Sequence, residues 1–280
     1  MKTGLSIIIC TLNEEKNIGN ILDELVSIQG VHNILIIDGG SVDRTKEITE
    51  KYEKVKFVLK ANVGLLRQRI HAIDIIDTEY FAFIDADDLI SSKDLNSAFE
   101  YLKMNNLDGV QFKTTSRIQN NNYWQKVWAA YFKLIYVENR KINMLGRPCI
   151  ARTFHYKKIT EGISTIPISM EDTYLDKLLF QKYGILNYKV VPYFSYRLCE
   201  NTIKQNFIKW IRYGKGDAQI TTSLTAFISS FHHLIFRILI FRSIKTLFSK
   251  NYLYFPGVLL FATARLAGFL TNVFYHKKNI

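Results

Sequence analysis

The sequence FAFIDADDLI, at positions 81–90, is an apolar run that ends at three closely spaced carboxylates. Like charges at this spacing repel one another, so a cation is expected among Asp85, Asp87 and Asp88 unless the segment is a solvated turn. Side chains at i and i+2 of extended chain point the same way, so Asp85 and Asp87 can share one ligand assembly. Two carboxylate oxygens, waters and a diphosphate describe a Mg²⁺ or Mn²⁺ site.

A second acidic pair lies in the segment MEDT, where Glu171 and Asp172 begin a predicted helix. The positive end of a helix dipole favours carboxylates, which makes a simple capping role one interpretation of the pair. The other interpretation is chemical, because a carboxylate can act as a general base and remove the proton from an acceptor hydroxyl.

Two basic segments offer groups that can bind phosphate. VGLLRQR contains Arg67 and Arg69 near a helix start, and RYGKGDA contains Arg212 and Lys215 around glycines. The second segment can bind the diphosphate of a donor or of a lipid carrier. The alternatives are a surface arginine in the first segment and a basic juxtamembrane turn in the second.

Short β-rich runs alternate with amphipathic helical patterns over the first hundred residues. The predicted strands are 5–10, 33–38, 55–59 and 80–85, and the predicted helices are about 14–28, 42–54, 65–76 and 92–104. Strands that are apolar throughout and alternate with helices indicate an α/β fold class, with a mostly parallel central sheet covered on both faces.

Polar residues follow these strands at the points where they end. Thr11, Asn13 and Glu14 follow the first strand, Asp38 ends the second, and Asp85 ends the fourth. Ligands in such sheets bind beyond the carboxyl ends of the strands. The sequence therefore predicts one rim at which acids and hydrogen-bonding groups meet.

The positive charge of the chain is concentrated near its C-terminus. The formal net charge is +12, and from Lys189 onward 13 Lys and Arg stand against only Glu200 and Asp217. Two apolar stretches follow, at about 224–248 and 253–275. We interpret the first as an interfacial helix with snorkelling cations and the second as a span or a re-entrant partner, at an anionic membrane. The alternative is an ordinary helical core or an oligomer interface.

Several other classes of function are excluded or disfavoured. No G-x-x-x-x-G-K-[ST] or G-x-G-x-x-G motif is present after the first strand, which argues against P-loop NTPases and dinucleotide dehydrogenases. Cys10, Cys149 and Cys199 are scattered and odd in number, which suits a reducing compartment. A basic tail this apolar fits lipid better than nucleic acid.

The segments SIIICTLNEEKNI, LIIDGGSVDRT, NVGLLRQR, FAFIDADD and MEDTYL occur in the order and spacing of family 2 glycosyltransferases, which the chain resembles over about residues 4–200. The resemblance implies a GT-A catalytic domain over 1–200, followed by a basic, hydrophobic membrane-associated helical region over 201–280. It implies an inverting hexosyltransferase of polysaccharide or glycolipid biosynthesis, dependent on Mn²⁺ or Mg²⁺, at the cytoplasmic face. The donor would be a nucleotide sugar, with a UDP-sugar favoured, and the acceptor would be lipid-linked.

The resemblance also implies roles for individual residues. The expected pocket for the nucleotide base and ribose consists of Thr11, Asn13, Glu14 and Asp38. Asp85 and Asp87 match the D-x-D element, with Asp87 as the main metal ligand and Asp85 nearer the nucleotide. Asp172 matches the acid of the E-D pair that acts as the catalytic base, and Glu171, the other member of the pair, is expected to be catalytic with it.

Basic residues complete the expected site. Arg69 stands where the family's N-x-G-x-x-x-A-R element has its arginine, and Arg212 and Lys215 precede a tail that resembles members holding a lipid-linked acceptor. The processive Q-x-x-R-W element is absent, so we expect one sugar per encounter. Two alternatives stay open, a catalytically inactive membrane scaffold or sugar-nucleotide sensor, and a sugar-phosphate nucleotidyltransferase.

Overall fold

The computed structural model of the chain describes residues 1–28, 30–137, 140–160, 163, 169–221 and 223–277. The chain divides into two compact units. The first comprises Met1–Thr114, Tyr136–Ile166 and Glu171–Arg197, and the second comprises Thr115–Ile135, Pro167–Met170 and Leu198–Ile280.

The elements are named in chain order. The strands are β1 (Lys2–Thr11), β2 (Val31–Asp38), β3 (Val55–Leu59), β4 (Thr78–Phe83), β5 (Asp88–Leu89), β6 (Gly109–Ser116), β7 (Lys141–Ile142), β8 (Cys149–Arg152) and β9 (Tyr188–Arg197). The helices are α1 (Ile18–Leu25), α2 (Thr45–Thr49), α3 (Leu65–Ile75), α4 (Ser92–Met104), α5 (Tyr123–Ile135), α6 (Thr153–Thr160), α7 (Glu171–Tyr183), α8 (Ile203–Gln219), α9 (Leu224–His232), α10 (Ser243–Leu247) and α11 (Phe255–Lys277). A π-helical segment, His233–Arg242, joins α9 to α10, and a 3₁₀ turn, Tyr252–Tyr254, precedes α11.

One mixed sheet runs through the first unit in the order β3-β2-β1-β4-β8-β6-β9-β5, with β7 paired to β9. β1 is parallel to β2 and β4, and β2 is parallel to β3. β8 is antiparallel to β4 and β6, and β9 is antiparallel to β5 and β7. The predicted α/β class and parallel sheet are confirmed, and the structure adds an antiparallel second half.

Both faces of the sheet are covered by helices, as the apolar strands predict. Ile7 and Ile9 of β1 pack in a core that includes residues of α1 and α4, and Ile8 packs in a second core with residues of α3, α6 and α7. Successive side chains of a strand point to opposite faces, so a strand between two cores is apolar at every position.

The first two helices begin later in the structure than the sequence predicts. The backbone N–H of Glu14 donates to Thr45 Oγ1 at 2.8 Å, and that of Glu15 donates to Asp43 Oδ2 at 3.0 Å. These bonds between the loops after β1 and β2 hold the chain out of helical conformation, and α1 begins only at Ile18. The pairing is nonlocal, so helical periodicity does not reveal it.

The second unit is built on close contact between α8 and α11. A Cβ added to Gly214 would lie 1.8 Å from the carbonyl oxygen of Arg265, and one added to Gly268 would lie 2.1 Å from that of Ile211. Arg265 Nε donates to Asp217 Oδ2 at 2.6 Å, and its Nη2 donates to Oδ1 at 2.9 Å. The cation of the second apolar stretch is therefore paired within this unit.

Two helical stretches, Leu224–Leu247 and Tyr252–Val273, are long and apolar enough to cross a membrane. In the second stretch, Phe261 and Phe269 are buried in the unit. In the first, the exposed large apolar side chains are Leu224, Ile228, Phe231, Phe236, Ile240, Phe241, Ile244 and Leu247. The first stretch therefore presents an apolar face to its surroundings.

Candidate active site

The Asp38 carboxylate fixes the loop that follows β2. Thr11 Oγ1 donates to Asp38 Oδ1 at 2.8 Å, and Ser41 Oγ donates to the same oxygen at 2.6 Å. The backbone N–H groups of Gly40 and Ser41 donate to Oδ2 at 2.9 and 2.7 Å. Asp38 is buried, and four donors fill the acceptor capacity of a carboxylate. Asp38 is therefore a buried residue that holds the loop of the predicted pocket in place.

Asn13 and Glu14 lie on the loop above Asp38. Asn13 has a left-handed φ of 58°, and its backbone N–H donates to Ser41 Oγ at 2.8 Å. Burial raises the pKa of Glu14, and the charge of the Asp85 carboxylate acts in the same direction. The loop after β1 thus lies within electrostatic range of the carboxylates that follow β4.

Arg69 lies between acids from two distant segments. Its side chain is buried; Nη2 donates to Asp85 Oδ1 at 2.8 Å, and Nη1 donates to Glu171 Oε1 at 2.5 Å. The Phe83 ring lies 5.3 Å from its Cζ. The alternative of a surface arginine is therefore wrong for Arg69, whereas Arg67 is exposed.

Arg197, the last residue of β9, is a site residue that sequence reasoning missed. Its Nε donates to Asp88 Oδ1 at 2.8 Å, and its Nη2 donates to Asp88 Oδ2 at 2.7 Å and to Asp85 Oδ2 at 2.9 Å. The one available signal was Asp88 itself, because an acid this close to a buried strand needs a cationic partner. Nothing in the sequence identified which of the many cations that partner would be.

The three carboxylates after β4 form a compact group. One oxygen from each of Asp85, Asp87 and Asp88 lies within 4.8 Å of the others. Burial alone would raise the pKa of Asp85, but the Arg69 and Arg197 guanidinium groups lower it, so the carboxylate stays charged. A set of carboxylate oxygens suits Mg²⁺ or Mn²⁺. Asp88 is fully buried against Arg197, whereas Asp85 and Asp87 are partly exposed.

The two acids at the start of α7 have different surroundings. Glu171 Oε1 binds Arg69, whereas Asp172 forms no ion pair with any residue in the described part of the chain. Asp172 Oδ1 accepts a 2.7 Å hydrogen bond from the backbone N–H of Thr173, and the side chain is partly exposed. Glu171 is thus committed to a structural contact, and Asp172 is not.

Asp176 lies on α7 one turn after Asp172 and is buried. Neither oxygen of Asp176 has a hydrogen-bond partner among the described residues, and neither do Nε and Nη2 of Arg147. Burial raises the pKa of Asp176 well above its ordinary value, although Arg147 acts in the opposite direction. On α7, burial thus favours the neutral form of Asp176, one turn after Asp172.

Contacts and charges link most of the predicted site residues in the first unit. These residues are Thr11, Asn13, Glu14, Asp38, Arg69, Asp85, Asp87, Glu171 and Asp172. Arg212 and Lys215 belong to the second unit. Their segment is not the predicted glycine-containing turn but part of α8, because its glycines allow close helix packing.

Comparison with known proteins places this geometry in a family. The family model described as glycosyl transferase family 2 matches residues 6–161, more than half of the chain. The teichoic acid poly(glycerol phosphate) polymerase of Staphylococcus epidermidis is 28% identical over 178 residues, covering 58% of this chain and 24% of the relative. The uncharacterized glycosyltransferase EpsJ of Bacillus subtilis is 33% identical over 110 residues, covering 37% of this chain and 32% of the relative. The chain thus spans about a quarter to a third of these relatives.

Solved structures share the fold over nearly the whole chain. Staphylococcus aureus TarS 1–349 in complex with UDP-GlcNAc is 16% identical, covers 100% of this chain and 92% of its own, and has a TM-score of 0.57. The mannosyltransferase PcManGT of Pyrobaculum calidifontis, in complex with GDP-Man and Mn²⁺, is 12% identical and has a TM-score of 0.64. The match covers 98% of this chain and 88% of the mannosyltransferase chain. The predicted GT-A fold is confirmed, and with the family match it establishes that the chain belongs to glycosyl transferase family 2.

Proposed function

We propose that the chain is an inverting, metal-dependent glycosyltransferase that moves a sugar from a nucleotide diphosphate to an acceptor at a membrane. The observation that carries the proposal is the linkage of Asp85 to Arg69 and Arg197. Asp87 belongs to the same group of carboxylates, and Asp172 is next in sequence to Glu171, which binds Arg69. Charged groups of both signs converge there from separate segments, as recognition of a diphosphate and removal of a proton require.

The donor binds over the loops after β1 and β2. Asn13 and Glu14 line the base and ribose pocket, and Thr11 and Asp38 hold its floor, which their buried hydrogen bond supports. We favour a UDP-sugar because the TarS structure contains UDP-GlcNAc, while PcManGT with GDP-Man keeps a guanine nucleotide possible. Arg69, buried with two acids, fixes the carboxylate nearest the nucleotide.

Asp87 and Asp85 would hold Mn²⁺ or Mg²⁺, with Asp87 as the principal ligand. The bound ion would neutralise charge on the diphosphate and so improve the leaving group. Both oxygens of Asp85 accept bonds from arginines, which favours a positioning role for Asp85.

Asp172 acts as the general base. It removes the proton from the acceptor hydroxyl, whose oxygen then attacks the anomeric carbon as the bond to the diphosphate breaks. Attack from the opposite side of that bond inverts the configuration. Glu171 contributes by holding Arg69, since its Oε1 accepts the 2.5 Å bond from Nη1.

The second unit binds a membrane and a lipid-linked acceptor at the cytoplasmic face. Its exposed apolar face on Leu224–Leu247 supports membrane binding, and no Asp or Glu occurs after Asp217 to repel anionic lipid. Arg212 and Lys215, on α8, would contact the phosphate of the lipid carrier. The free cysteines fit a reducing compartment.

The test uses the purified full chain, a panel of UDP-, GDP- and dTDP-sugars, Mn²⁺, and vesicles of bacterial lipid extract. We expect one donor to yield free nucleoside diphosphate and labelled lipid, and EDTA to abolish the reaction. Release of pyrophosphate would instead indicate a nucleotidyltransferase. Cellular function that survives both Asp87→Ala and Asp172→Asn would indicate a scaffold or sensor.

A further inference from the structure

Two aromatic side chains of β9 face solvent as a pair. Phe194 is 36% exposed and Tyr196 is 47% exposed. Their ring centroids are 6.1 Å apart and their planes differ by 23°. Lys113 Nζ lies 4.9 Å from the centroid of the Phe194 ring, which braces that ring. The pair is therefore an ordered apolar surface outside both cores of the sheet.

The pair lies on the face of the sheet that α7 covers. Tyr188 packs in the core that includes residues of α7, whereas Val191 and Tyr193 pack in the core that includes residues of α1 and α4. Side chains alternate along a strand, so Phe194 and Tyr196 share the face of Tyr188. This face of the sheet is the one covered by α7, the helix that begins with Glu171 and Asp172.

The pair is also next to the charged site along the strand. Tyr196 directly precedes Arg197, whose side chain points to the other face of β9 and whose guanidinium binds Asp85 and Asp88 at the end of the strand. At about 3.3 Å per residue, the backbone of Phe194 lies about 10 Å from that of Arg197. A bound acceptor can span this separation while its hydroxyl reaches the site.

We propose that Phe194 and Tyr196 form an acceptor subsite that stacks against a pyranose ring, so that the acceptor carries a saccharide. This inference rests on the proposed function. A pyranose presents C–H groups on its faces and hydroxyls at its rim, and the negative face of an aromatic ring attracts such C–H groups. An exposed, near-parallel aromatic pair beside a polar site matches that chemistry better than it matches a simple alcohol.

The experiment measures binding of three methyl β-glycosides, those of glucose, galactose and N-acetylglucosamine, to the full chain by saturation-transfer NMR with UDP and Mn²⁺ present. We compare wild type with the double variant Phe194→Ala and Tyr196→Ala, with Tyr196→Phe, and with Phe154→Ala. Phe154, on α6 of the same unit, is 50% exposed and serves as the matched control. Thermal unfolding checks that each variant is folded.

We expect at least one glycoside to bind, and the double variant to weaken that binding by at least about fivefold. Tyr196→Phe and Phe154→Ala should stay within about twofold of wild type. The subsite is refuted if the double variant binds as wild type does, if Phe154→Ala loses as much, or if no glycoside binds a chain that binds UDP. A wild-type chain that binds glycoside but no nucleotide would refute the proposed function and leave the subsite standing.

Discussion

Arg69 and Glu171 are 102 residues apart in the chain, yet Arg69 Nη1 donates to Glu171 Oε1 over 2.5 Å. The same guanidinium donates to Asp85. Arg69 thus joins the first turn of α7 to the carboxylates after β4. This contact distinguishes the two acids that begin α7, since Glu171 is bound to Arg69 whereas Asp172 forms no ion pair in the described part of the chain.

Substitution of Asp172 and substitution of Glu171 are expected to affect different properties, the rate of the reaction and the stability of the fold. Asp172→Asn should lower kcat by about 10²–10⁴-fold without changing the Kd of the nucleotide, because it removes the proposed general base and no proposed nucleotide contact. Glu171→Ala should lower the free energy of unfolding by about 2 kcal/mol, because it leaves a buried guanidinium with one partner fewer. Initial rates, nucleotide titrations and urea unfolding measure the difference. Equal loss of stability in both variants would contradict the division of roles.

Asp87 is expected to control the affinity for metal. Asp87→Asn should raise the Kd of Mn²⁺, measured by calorimetry with UDP present, by at least about tenfold, since it removes a charged oxygen ligand. Glu53→Gln removes an exposed acid outside the site and is the matched control. Unchanged Mn²⁺ affinity in Asp87→Asn would show that the ion, if bound, lies elsewhere.

Asp176 makes stability depend on pH. Its pKa in the folded chain is raised by burial from an ordinary value of 3.8. Its contribution to stability is therefore fully present below about pH 3.8 and is lost as the pH rises toward the raised value, by at most about 1.4 kcal/mol per pH unit. We expect Asp176→Asn, which cannot ionise, to flatten this decline and to be the more stable protein at pH 7.

Urea unfolding of both proteins from pH 4 to pH 8 measures the effect. An Asp176→Asn variant that is less stable than wild type at pH 7 would mean that Asp176 is charged and paired with Arg147 instead.

Close packing of α8 and α11 is expected to tolerate no side chain at Gly268. Gly268→Leu should lower the free energy of unfolding by at least about 3 kcal/mol, because a Cβ there would already lie 2.1 Å from the Ile211 carbonyl oxygen. Thr263→Leu puts the same side chain on an exposed position of the same helix and should change stability little. Similar unfolding curves for the two variants would contradict the observed packing.

The sequence predicts the first half of the sheet and the acids at its rim for a simple physical reason. Strands such as β1 are apolar at every position because each face meets a different core, and the polar residues begin where the strand ends. In the structure Thr11 and Asp38 end β1 and β2, and Asp85 follows the end of β4 by two residues. Periodicity and strand ends are local signals, so they can be recognised in a single amino-acid sequence.

What the sequence does not predict depends on contacts between distant segments. The late start of α1 arises from bonds between the loops after β1 and β2, such as that from Glu14 to Thr45. Arg197 joins the site through Asp85 and Asp88, more than a hundred residues away, with no motif around it. The glycine-containing segment beside Arg212 has the composition of a turn, and only its packing against α11 explains why it is part of a helix.

The ion pair of Arg265 and Asp217 has a consequence for how the second unit folds. The two residues are separated by 48 positions and lie on different helices, α11 and α8. The charge of Arg265 is therefore neutralised only when α11 packs on α8. We expect the two helices to fold together, as one cooperative step, rather than one after the other.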